Sequence, residues 1–357
     1  MPDRPLARQR LVAQGLISRP YSTPLDAVTA FGLMQGQDLT GALASAALRT
    51  TSGDIVAVLD ALNRGELVRG YPMRGTIFLA PAADLRWMTE LCAGPTLRAA
   101  QQRRDRHHDF GTAEIEKAFE KMAVAATGGG VSRAEYQELL RAVGIEPEQG
   151  RGYHILFTLI ADGRLAYGPW NGRDQQIVLA SEYLGEGLDE RFGGDEIAAI
   201  TELAARYFRT HGPATIRDFA WWTKLPLTKI RKAVTQLPDD IERLDDETFA
   251  RLGLQEEAHA LGRAVAKPLL LPGFDEYILG YQDRLFAMDA ATHEALVPGN
   301  NGVFKKGVVV DGIVRGFWTR TGSPNKRKLA LNELTTIPKA AHAGIRQRFK
   351  EYPFTAE

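Results

Sequence analysis

The feature that most constrains this chain is a layout that occurs twice, about a hundred residues apart. After a helical stretch, residues 64–79 read as a short strand, a tight turn at Arg74-Gly75 and a return strand, with Gly65 closing the helix before them. Residues 162–179 repeat the plan, with Gly163 as the helix stop, a turn through Gly168-Pro169 to Gly172, and a return strand over 175–179. A weaker third copy runs through 241–249. Isolated hairpins are marginal in water, so each must pack against the helices that precede it.

Those helices are legible from their punctuation. In the first unit they are expected over 5–14, 24–31, 39–49 and 54–63, with Thr23-Pro24 as cap and first-turn pair and Gly32 as a left-handed stop. In the second, a helix over 112–126 ends in three glycines, and Ser132 with Glu135 forms a capping box for a helix to about 143. In the third, helices are expected over 195–210, from a Thr215 cap, and over 227–236. Three helices followed by a hairpin are the winged form of the helix-turn-helix, in which one helix enters a nucleic-acid groove and the hairpin flanks it. From about residue 266 short β-rich runs take over, with Asp311-Gly312 as a hairpin turn and a last helix near 338–351. The expected fold class is α+β: tandem winged-helix units over 1–92, 93–192 and 193–262, then a C-terminal β-barrel domain over 263–357.

Charge narrows the partners. The chain has 44 basic and 44 acidic residues, which argues against unspecific coating of nucleic acid. Yet residues 301–350 carry 11 Lys/Arg against Asp311 and Glu333, whereas 182–257 carry 16 acids against 10 bases. A basic segment supplies phosphate contacts even on a neutral protein. Cys92 is the one cysteine, and the seven histidines are scattered, so neither an internal disulfide nor a metal site is expected, and no cofactor. The His107-His108 pair reads as a solvated polar run. No run approaches 18 apolar residues and the charged start does not read as a signal peptide, so no membrane partner is expected and the cytoplasm is the default.

One loop carries candidate chemistry. In Gln35-Gly36-Gln37-Asp38, residues i and i+2 share a face if the backbone is extended. Two carboxamides there offer donors and acceptors that hold a water or a ligand, though neither is a base near neutral pH. Asp38 reads either as the cap of the next helix, the favoured reading, or as a supporting carboxylate at the same locus. Further along, Trp221-Trp222 reads as core, and Asp275, Glu276 and Asp283 as a carboxylate strip that binds Arg284 and nearby backbone, the favoured reading, or forms a second polar site.

Gln35-Gly36-Gln37-Asp38 before a small-residue helix resembles the Gln-x-Gln motif of AlkZ-like winged-helix DNA glycosylases. The resemblance extends along most of the chain, through Tyr71-Pro72-Met73-Arg74-Gly75-Thr76-Ile77, then Tyr207 with Gly212-Pro213-Ala214-Thr215 and Asp218-Phe219-Ala220-Trp221-Trp222. It continues through Pro272-Gly273-Phe274-Asp275-Glu276-Tyr277 to Asp283-Arg284, and ends at Asn300-Asn301-Gly302-Val303-Phe304. It implies a monofunctional glycosylase acting on double-stranded DNA with N7-alkylated purines, in some members unhooking interstrand crosslinks, with Gln35 and Gln37 as catalytic residues. Where the family pattern reads Arg-Gly-Thr-Leu-His, this chain has Arg74-Gly75-Thr76-Ile77-Phe78, and the departure that matters is Phe78 in place of the histidine.

An N7-alkylpurine already carries positive charge and leaves readily, so oriented water and tolerance of an oxocarbenium-like transition state suffice. For DNA contact the expected residues are Arg49, Arg69, Arg74, Thr76, Arg103, Arg104, Lys305, Lys306, Lys326, Arg327 and Lys328. The competing class is a transcription regulator or inactive scaffold that uses the wings only to bind DNA. Three tandem units with a barrel instead suit a monomer around a single site.

Overall fold

The computed structural model describes residues 1–107, 110–172, 174–300, 302–323 and 326–355, the side chains of 107 and 300 excepted; His108 and Asn301 lie outside the described residues. The chain forms two compact units built from interrupted segments: the first from 1–58, 201–222 and 226–357, the second from 59–200 and 223–225. They cut across the sequential divisions expected above, since residues 59–92 belong with 93–200.

Local signals place most helices. Pro24–Phe31 starts where Thr23 accepts from the Asp26 amide and Asp26 accepts from that of Thr23, and it stops at Gly32, φ +73°. Arg133–Ala142 opens on the reciprocal Ser132–Glu135 pair. Thr112–Ala126 and Ile55–Asn63 form as expected, each within one residue.

In the second unit, four antiparallel strands lie in the order Thr76–Pro81, Leu67–Met73, Leu165–Trp170, Gln175–Leu179. The two repeated hairpins therefore pair with each other, Arg69 opposite Tyr167. Helix Arg151–Ala161 lays Ile155, Leu156 and Leu159 against Met122, Leu140 and Ile177, all buried. Each such side chain stabilises the fold by about 1.5–3 kcal/mol.

The first unit holds two sheets. Ala214–Thr215, Thr248–Arg251 and Ile241–Arg243 form a three-stranded sheet in that order, with Phe249 packed on Phe208 at 5.0 Å between ring centres. The other runs Lys328–Glu333, Ile313–Thr321, Gly307–Val310, Leu269–Leu270, backed by helix Ala341–Lys350 through Trp318, Ile345 and Phe349. Asp311 and Gly312 turn it at φ +56° and +75°, the two left-handed residues a type I′ turn requires. The expected barrel is here an open sheet among the described residues. Its two edges are Lys328–Glu333 and the two-residue strand Leu269–Leu270.

Candidate active site

The Gln35 loop is fixed from three directions. Helix Pro24–Phe31 ends just before it, Met34–Gln35 is extended, and a bend leads into helix Leu39–Ala47. The Gln35 side chain folds back on its own loop, its Oε1 accepting from the amides of Gly36 at 2.9 Å and Gln37 at 3.1 Å. Gln35 is 5% exposed, whereas Gln37 is exposed. The expected matched pair is thus an interior carboxamide and an outer one. The i, i+2 rule needs extended backbone throughout, and extension stops at Gln35.

Beneath the loop lies a buried carboxylate. Glu276 Oε1 accepts from the Gln35 amide at 2.7 Å, and Oε2 accepts from Trp222 Nε1 at 3.3 Å, with His211 Nε2 3.4 Å away. His211, wholly buried, stacks on Tyr207 at 4.3 Å. Burial holds its pKa below the ordinary histidine value, and the Arg49 charge adds to this; the Glu276 contact opposes it. Trp222 is core, as the sequence implied.

Next to Glu276, Asp275 takes both guanidinium nitrogens of Arg49, at 2.9 and 3.0 Å, and the Ser45 hydroxyl at 2.6 Å. Arg49 also donates to the Ser45 carbonyl and to Gln14 Oε1. Burial alone would raise the Asp275 carboxyl; the Arg49 charge and the bonds from Arg49, Ser45 and the Tyr277 amide outweigh it, so the net shift is downward. Arg49, expected at DNA, is therefore an interior residue with 0% exposure, and its charge is matched by Asp275. The carboxylate strip does not bind Arg284, which donates to the Ile278 carbonyl; Asp283 instead accepts from the Leu285 amide.

Asp38 stands at the N-cap position of Leu39–Ala47, yet its side chain makes no cap bond. It accepts from the Thr40 hydroxyl at 3.0 Å. With Gly41, Lys306, Arg320 and Tyr352, Asp38 lines a cavity of about 110 Å³. A side chain at Gly41 would come within 2.9 Å of the carboxylate and 3.0 Å of the Gly273 carbonyl, so helix and loop approach closely only because this residue is glycine. Lys306 lies 5.1 Å over Trp318, and burial lowers its pKa; Asp38 opposes that shift and Arg320 adds to it. The structure thus brings Lys306 to Asp38 and adds Arg320, which the sequence reading missed because only the folded sheet places it there.

The remaining basic residues divide by environment. Lys305 donates to the Ala295 carbonyl at 2.8 Å and lies 4.2 Å over Phe317. Lys326 and Lys328 are exposed, while Arg327 packs on Phe354 at 4.5 Å. In the second unit Arg69 is 8% exposed and donates to Gln175 Oε1, so it serves the sheet and is not presented to a phosphate. Arg104 donates to Thr158 Oγ1 at 2.9 Å, tying helix Gly94–His107 to Arg151–Ala161. Arg74 and Arg103 line one cavity of about 300 Å³; Thr76, half-buried, begins the return strand beside it. Phe78 is fully buried, with the Arg74 guanidinium 5.1 Å over its ring.

Among the described residues no group of three or more His, Cys, Asp or Glu is placed to hold a metal ion, and no helix is long and apolar enough to cross a membrane.

The fold matches the solved structure of Streptomyces sahachiroi DNA glycosylase AlkZ with a TM-score of 0.72, over 99% of this chain and 96% of that one, at 22% identity. In sequence the chain is 28% identical over 323 residues to an interstrand DNA cross-link repair glycosylase from the same organism, covering 87% of this chain and 85% of that protein. The family model described as DNA glycosylase AlkZ-like matches residues 28–352. The chain therefore belongs to the AlkZ-like DNA glycosylase family, and it is a DNA glycosylase.

Proposed function

We propose that this glycosylase hydrolyses the bond between deoxyribose and N7-alkylated purines in duplex DNA, by a monofunctional route that uses neutral side chains. The observation that carries the reading is the Gln35 loop, in which one carboxamide fixes the backbone and the next is exposed. Gln35 shapes the loop and Gln37 orients the attacking water or the sugar. Asp38 supports the site through Thr40 and through its field at Lys306. A cationic base needs little protonation to leave, so geometry supplies most of the rate. Uncharged glutamines also leave normal bases, which need a stronger acid, untouched. A crosslink attached at purine N7 has the same leaving group. The related Streptomyces protein, named for interstrand crosslink repair, supports extending the proposal to such substrates.

We read the helix and hairpin sets as three tandem winged helices over 1–92, 93–192 and 193–262, with residues 263–357 as a C-terminal sheet domain. The proposed enzyme is a cytosolic monomer. The test is incubation of purified protein with a duplex carrying 7-methylguanine, followed by alkaline cleavage of abasic sites. The wild type yields strand breaks at the lesion. Gln37→Ala lowers that yield at least tenfold without unfolding the protein, and Gln35→Ala lowers it while also loosening the loop. Undiminished excision by the double variant refutes the assignment.

A further inference from the structure

The geometry points to Phe274 as the surface on which the purine stacks once it is turned out of the duplex, so that this ring, and not the glutamines alone, selects the lesion. This rests on the proposed action on N7-alkylated purines and names the residue that reads the base. All the residues concerned lie in the first unit. Phe274 stands between the two places where its segment meets the Gln35 loop. On one side the Gly273 carbonyl lies 3.0 Å from where a side chain at Gly41 would begin, and Pro272 shares the cavity of Asp38. On the other, Glu276 accepts from the Gln35 amide at 2.7 Å.

The backbone of Phe274 is left-handed, at φ +63°. For a bulky side chain that conformation is an outlier, and it persists only where the surroundings over-determine it, as at ligand clamps and active sites. Here the surroundings are explicit. A side chain at Gly273 would meet the Phe304 carbonyl at 2.7 Å, and Asp275 is held by Arg49 and Ser45. The strain does not serve to bury the ring. Phe274 is only half-buried, and among the described residues its one ring contact is Phe304, 5.6 Å away between centres. Phe304 carries the Arg284 guanidinium 5.1 Å over its face, and the same group lies 5.0 Å over Trp221 and donates to the Ile278 carbonyl. Those two rings already have a cation, whereas none lies over Phe274 among the described residues. A purine that leaves the duplex loses its stacked neighbours and regains that contact on an aromatic face. N7-alkylation makes the purine a cation, which a ring face attracts beyond stacking alone.

The test is fluorescence anisotropy of the full chain with two duplexes. One carries 2′-fluoro-7-methyldeoxyguanosine, whose glycosidic bond resists hydrolysis, and the other carries guanine at the same position. The wild type binds the first more tightly. Phe274→Leu keeps apolar bulk but no ring, and it loses about tenfold on the lesion duplex and nothing on the guanine duplex. Phe274→Tyr keeps the ring and the preference. Phe274→Gly suits the left-handed backbone and shows the same loss as the leucine variant, whether or not the latter folds. Full lesion preference in a folded variant without the ring, or an equal loss on both duplexes, overturns the stacking. Excision of 7-methylguanine by the wild type is measured alongside. Its absence with an intact Phe274 effect refutes only the assignment of the reaction, and its presence with no Phe274 effect refutes only the role of this ring.

Discussion

Arginines at 49 and at 103 look alike in the sequence, and the two units use them in opposite ways. In the first unit Arg49 is sealed against Asp275, Ser45 and Gln14, under the same segment that carries Glu276 and so braces the Gln35 loop. In the second, Arg103 is exposed at the edge of a cavity with Arg74 and Lys224. The Arg49 charge is matched inside the protein by Asp275, whereas no carboxylate is among the residues lining the cavity beside Arg103. The first arrangement gives a loop of fixed geometry, and the second leaves Arg103 at the surface.

The sharpest way to break this contrast is to truncate Arg49. Arg49→Ala leaves Asp275 buried without its counter-ion and is expected to lose about 3–5 kcal/mol in urea unfolding. Stability equal to wild type would mean that the interior ion pair holds nothing together.

A smaller effect is expected at Gly280, where an added methyl would lie 2.5 Å from the His211 ring and 2.7 Å from the Glu276 carbonyl. Gly280→Ala should cost about 1–3 kcal/mol and lower excision in step, because the ring and the carboxylate below Gln35 must shift.

The third test uses pH. The folded pKa of His211 is depressed, so the unfolded chain binds the proton first as pH falls. Stability is accordingly lost below about pH 6.5, with up to roughly 1.4 kcal/mol per pH unit from this residue. Asp275, also depressed, contributes stability that is present above about pH 4 and lost below it, so the two fall in separate windows. Chemical denaturation of His211→Phe between pH 7 and 5 should show a flatter profile than wild type; an unchanged slope would place the titration elsewhere.

Least affected is Arg103→Ala, expected within about 0.5 kcal/mol of wild type in thermal unfolding. A loss as large as that of Arg49→Ala would erase the distinction between the units.

Much of the local structure was legible. Thr23-Pro24 and Ser132 with Glu135 are short-range signals, and they form the caps they spell. The two hairpins were legible as well, although nothing in either copy announces that they pair through Arg69 and Tyr167. The Gln35 locus could be found, but its division into an inner and an outer carboxamide could not, because that depends on where the backbone stops being extended. Arg49 and Arg69 were misread for a single reason. Whether a guanidinium is buried is decided by its partner, and Asp275 lies 226 residues from the first, Gln175 106 from the second. Lys224 gave no signal, since residues 223–225 join a unit otherwise drawn from 59–200.

The separation of 241 positions between Gln35 and Glu276 also sets an order of events during synthesis. At about 5–20 residues per second, the ribosome needs on the order of tens of seconds to deliver the carboxylate after the glutamine has emerged. The stretch 59–200 can complete its own core in that interval. The loop proposed to cut the glycosidic bond therefore acquires its brace only late in synthesis.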